Sequence, residues 1–148
     1  MLRLKPHHLI DIIRNIGHQR PLVPHDYGHA QHSITRSILE DPNQDIHFVL
    51  EADDLCSPCV HLKNGTCDDL LPQFSHPVLK HNYNNELDHI LVRFFEIAEG
   101  CILPLAEFIQ LVEENLEGLI PLCTHPGESY EYRREGLMKG IKILRTKL

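Results

Sequence analysis

The sequence predicts a mainly α fold: a small helical bundle in one domain over residues 1–148, with one short β-strand pair and a cysteine-rich loop. Three observations predict it. Apolar residues recur at helical spacing in five separate segments, whereas one stretch alone reads clearly as a strand. A turn-rich stretch, "EADDLCSPCVHLKNGTCDD" (51–69), puts three thiols within a dozen residues. The chain has 148 residues and is 42% apolar, enough to bury a core without staples and natural for a single domain.

The first helix is expected in "LKPHHLIDIIRNIG". Pro6 suits a first helical position and Gly17 suits a stop. Leu9, Ile12, Ile13 and Ile16 form its buried face. "HQRPLVPHDYG" then connects to a shorter helix in "HAQHSITRSILED", which must end before Pro42. "DIHFVLEA" is short, β-branched and aromatic, so it is the expected strand, and the opening "LRL" is its candidate partner. In the cysteine stretch, "KNGT" signals a turn, because Asn and Gly tolerate positive φ. "NNELDHILVRFFEIAEG" and "LPLAEFIQLVEENLEG" are further helices. "LIPLCTHPGES" reads as a loop, and a last helix runs through Leu137, Ile141 and Leu144.

Composition excludes several classes of function. The net charge of −7 argues against a nucleic-acid footprint, and no apolar run is long enough to span a membrane. "MLRLKPHHL" lacks the apolar run of a secretory signal, so the expected location is cytoplasmic. Five cysteines in such a setting point to metal or redox chemistry rather than a disulfide framework. No phosphate loop, dinucleotide fingerprint or nucleophile motif is present. A protein partner or a small-molecule substrate is left unspecified.

The chemistry concentrates on Cys56, Cys59 and Cys67, spaced C-x2-C-x7-C. The two-residue gap lets both thiolates of a knuckle face one ion, and Cys67 can return across the "KNG" turn. Thiolates select soft or borderline metals, so the expected cofactor is an iron–sulfur cluster or zinc. Both want four ligands. Cys123, in the "LIPLCTHPGES" loop, is the first candidate for the fourth, and His61, His7 and His8 are the others. Cys101 reads as a small core residue. A dithiol-redox reading of "CSPC" is weaker, because a turn follows it rather than a helix.

Two histidine groups stand apart. His25, His29 and His32 would share one face of a helix, but Pro24 and Gly28 favour a polar loop and helix start. His7 and Asp11 are i, i+4 neighbours, so Asp11 can orient His7. Two further functions are carried alongside metal binding. One is a metal- or His-dependent enzyme built on His7, His8, Asp53 and Asp54. The other is a helical interaction domain without metal.

"LRLKPHHLI" and "DDLCSPCVHLKNGTC" together resemble a family of uncharacterised prokaryotic proteins, described as iron–sulfur binding on the strength of its cysteines. Those proteins share an R-x-R/K-P-H-H-L opening and a D-D-I/L-C-x-x-C-x-H…G-x-C block, which cover about a quarter of this chain. The resemblance matches His7 and His8 to the paired histidines, and Asp53 and Asp54 to the paired acids. It matches Cys56, Cys59, His61 and Cys67 to the cysteine block. Members often carry a cysteine just after H-H-L, where this chain has Ile10 and Asp11. They also carry a C-terminal cysteine pair, where this chain has only Cys123. With fewer thiols than the family pattern, a single zinc ion, or no metal, gains on a cluster.

Overall fold

The computed structural model describes residues 1–148. In chain order the elements are β1 (Leu2–Leu4), α1 (Pro6–Gly17), α2 (Gln31–Glu40), β2 (Asp45–Phe48), β3 (Leu62–Lys63), β4 (Thr66–Cys67), β5 (Leu70–Leu71), β6 (Val78–Leu79), α3 (Lys80–Phe94), β7 (Ile102–Pro104), α4 (Leu105–Glu114), α5 (Leu116–Cys123) and α6 (Tyr130–Arg145). No helix is long and apolar enough to cross a membrane.

Helix α1 is the centre of the bundle. Its apolar stripe of Leu9, Ile12, Ile13 and Ile16 is buried. Each such side chain contributes roughly 1.5–3 kcal/mol of burial. Against α6 the contact is backbone on backbone. A Cβ at Gly140 would stand 1.9 Å from the Ile13 carbonyl oxygen, and one at Gly17 would stand 1.8 Å from that of Gly136. Only glycine lets the two helices meet this closely, and the seam fixes how α1 sits against α6.

The expected strand pair forms. β1 and β2 run parallel, with Leu2 opposite Ile46 and Leu4 opposite Phe48. A parallel pair needs a crossover, and α1 and α2 provide it. The strand content exceeds the single pair expected, however. β7 adds an antiparallel third strand, giving the order β1-β2-β7, and β3/β4 and β5/β6 are two-residue hairpins. Strands this short leave no period-2 signal to read. Cys101, expected in the core, lies half-buried beside β7. Its carbonyl accepts the Phe48 N–H at 2.9 Å.

The C-terminal half is cut differently from the expectation. The helix expected over 103–118 breaks at Asn115, whose side-chain amide donates to the Leu111 carbonyl at 2.8 Å. "LIPLC", expected as a loop, is helical and continues through Pro121. Proline removes one helical hydrogen bond and normally ends a helix. Here Leu119, Ile120 and Cys123 share one buried face, and that tertiary burial outweighs the lost bond.

Candidate functional site

The cysteine loop is built around one carboxylate. Asp53 leaves the sheet just after β2 and is 1% exposed. Its Oδ1 accepts the Cys56 N–H at 3.0 Å, which turns the chain into the knuckle. The Cys59 N–H then donates to the Cys56 carbonyl at 2.8 Å and closes the next turn. Asn64 and Gly65 both have positive φ, as a two-residue hairpin turn requires, and return the chain as β4 with Cys67 opposite Leu62. Cys56, Cys59 and Cys67 all end half-buried on the wall of one cleft of about 320 Å³.

Across that cleft stands the N-terminus of α1, whose orphan N–H groups are capped from outside. Asp53 Oδ2 accepts the Lys5 N–H at 2.8 Å, and Asp88 Oδ1, from α3, accepts the His7 N–H at 2.9 Å. The same two carboxylates hold the imidazoles. His7 Nδ1 donates to Asp88 Oδ2 at 2.8 Å, and His8 Nδ1 donates to Asp53 Oδ2 at 2.7 Å. On the far wall His61 Nδ1 donates to Asp68 at 2.7 Å. A carboxylate can only accept, so each Nδ1 carries a proton, and in the neutral ring Nε2 keeps its lone pair. Burial by itself would push the His7 and His8 imidazoles down. The Asp88 carboxylate more than reverses this for His7; for His8 the neighbouring His7 adds to the lowering, and Asp53 outweighs both, so the two values are raised.

His8 Nε2 faces the Cys56 sulfur at 3.9 Å. One ligand atom each from His8, Asp53 and Cys56 lies within 4.8 Å of the other two, close enough for the group to hold a metal ion. Cys59, Cys67 and His61 line the same cleft without joining that group.

Cys123 is placed elsewhere. It ends α5 rather than lying in a loop, is 2% exposed, and belongs to the hydrophobic core instead of the cleft wall. Burial pushes its thiol up to about 11, so it is held protonated. The expected partner of His7 is corrected as well. Asp88, not Asp11, orients it, because Asp11 turns toward Arg133 at 3.0 Å and Arg14 at 3.6 Å. Sequence reasoning missed Asp88, Glu128 and Arg133. Asp88 did leave a signal: it is a lone acid on the Leu87, Leu91 and Val92 face of its helix.

The floor of the cleft is an ion network. Arg133, 1% exposed, donates to Glu128 and to Asp11, and Arg14 Nη1 donates to Glu128 at 3.1 Å. Burial would raise the Asp11 carboxyl, but Arg14 and then Arg133 outweigh it and bring it from 3.8 down to about 2. A lowered carboxylate stabilises the fold above its unfolded value, and that stability is lost as pH falls through the folded one. The melting temperature is therefore expected to drop between about pH 4 and pH 2. Asp11→Asn should flatten that drop by about 2 kcal/mol in a pH series of thermal melts; an unchanged acid limb would contradict the pairing.

The histidines of the 20–32 segment do not converge on a metal. His25 and His29 precede α2 and stack at 4.3 Å, while His32 lies in its first turn.

No curated protein and no solved structure matches the chain. A family model described as a protein of unknown function, DUF1284, matches residues 25–125, a span that holds Asp53 and the three clustered cysteines, and the chain belongs to that family.

Proposed function

We propose that the protein binds one zinc ion in this cleft, with Cys56, Cys59, Cys67 and His8 as donors. The observation that carries the reading is the His8–Cys56 pair. Two ligands of a tetrahedral zinc ion, at about 2.1 Å for nitrogen and 2.3 Å for sulfur, stand about 3.6 Å apart. His8 Nε2 and Cys56 Sγ are 3.9 Å apart. Asp53 then serves behind the imidazole rather than on the metal. Its two oxygens already accept from Lys5, His8 and Cys56, and a carboxylate on the far nitrogen is the usual partner of a metal-ligating histidine. The buried Cys123 is left out of the donor set, which disfavours a four-cysteine iron–sulfur cluster.

Metal analysis and a visible spectrum of anaerobically purified protein test this. The expected result is about one zinc per chain and no colour. Brown protein containing iron would replace zinc by a cluster. Protein with neither metal at stoichiometric level would sink metal binding altogether.

A second reading rests on the same three residues. Thiol, imidazole and carboxylate stand in the order of nucleophile, base and orienting group. A chain isolated free of metal would support this reading.

A further inference from the structure

A second recess of about 350 Å³ lies beside the metal cleft. The two share Asp11, Arg14, His29 and Gln31, so they adjoin across one ridge. One wall is the "RPLVP" segment (20–24), pinned by Arg36, which donates to the Leu22 carbonyl at 3.4 Å.

Hydrogen-bond donors dominate this recess. The Tyr27 N–H donates to His25 Nδ1 at 3.0 Å, and the Gln31 N–H donates to His29 Nδ1 at 3.4 Å. Each Nδ1 is therefore an acceptor, which leaves the proton of each imidazole on Nε2. Two stacked rings thus present two N–H donors. Burial, then the neighbouring His25, lowers the His29 value, consistent with a neutral ring. Arg20, on the rim, forms no ion pair. Asn15 and Gln31 add side-chain amides. The one carboxylate in the wall is Asp11, and Arg133 and Arg14 already hold it. His32 Nδ1 is buried with no partner.

Such a set suits an oxyanion. The donors come from several walls, and a tetrahedral group with three free oxygens meets them in more directions than a planar carboxylate with two. We propose that the recess binds the phosphate group of a small organic molecule, whose remainder reaches over the shared ridge into the metal cleft. The reach into the cleft rests on the zinc reading above; the phosphate site does not.

The test is calorimetric titration of the full chain, zinc-loaded and metal-free, with inorganic phosphate and with acetate as the contrast. Arg20 and His25 are both exposed and lie outside the metal cleft, so R20A/H25A should keep its zinc and its fold. Saturable phosphate binding that exceeds acetate binding and weakens at least about tenfold in R20A/H25A is expected. R20A alone serves if the double variant loses its cooperative melt. No saturable phosphate binding overturns the inference, as does equal binding by the variant. Binding lost in C56S but kept in R20A/H25A places the anion on the metal and overturns it too. A chain that binds phosphate but no zinc upholds the recess and sinks the zinc reading. A chain that binds zinc but no phosphate does the reverse.

Discussion

Asp53→Asn is expected to lower the zinc affinity of the cleft by about 10- to 100-fold while the chain still folds. The carboxylate makes three contacts at once: Lys5 N–H, His8 Nδ1 and Cys56 N–H. An asparagine fills the same space and keeps one acceptor oxygen. It loses the charge that makes the His8 lone pair basic, and its amide nitrogen cannot accept the Nδ1 proton. Asp53→Ala goes further. It orphans two backbone donors, each about 1–3 kcal/mol when buried, so metal and stability are lost together. The check is competition for zinc against a chromophoric chelator, with a thermal melt of each metal-free variant. If Asp53→Asn binds zinc as tightly as the wild type, Asp53 does not orient the ligand. If its loss instead matches that of Cys56→Ser, Asp53 is itself on the metal.

Arg133→Met is expected to cost about 3–5 kcal/mol, a large share of the roughly 5–15 kcal/mol that stabilises a domain. The guanidinium is 1% exposed and spreads its donors over Glu128 and Asp11. Methionine fills similar volume, so the loss comes from two carboxylates left facing each other with only Arg14 between them. Adding Glu128→Gln to Arg133→Met should return part of the loss, because Asp11 and Arg14 then remain as one charge of each sign, 3.6 Å apart. Arg133→Lys should recover only part of it, since an ammonium cannot reproduce the fork. Urea midpoints measure all three. A cost under about 1 kcal/mol for Arg133→Met would show that the network does not hold the floor of the cleft.

What the sequence made legible was local. The α1 stripe, the β1/β2 pair and the Asn64-Gly65 turn each announce themselves within a few residues, because spacing and φ are properties of the nearby chain. The thiol wall was legible for the same reason: Cys56, Cys59 and Cys67 sit around one turn and one hairpin. Strand β7 was not, because three residues cannot display an alternation and its pairing with β2 spans more than fifty positions. Pro121 misled for a physical reason. Its local cost is real, but the buried face around it exceeds that cost. The role of Asp88 was hidden because an acid's partner is set by packing; the nearer Asp11 looked the better match for His7 until Arg133 claimed it.

The acid pair after β2 has a kinetic meaning as well. Asp54 and Arg3 exchange backbone and side-chain bonds, Val49 bonds to Leu4, and Asp53 bonds to Lys5 and His8, contacts that close loops of 45 to 51 residues. The knuckle and its turns can form from neighbouring residues alone, but the imidazole arrives only when this clasp shuts. Contacts of such separation are slow to assemble. During folding the thiols therefore wait as an open half-site, and only the closed topology would complete the donor set of the proposed zinc site.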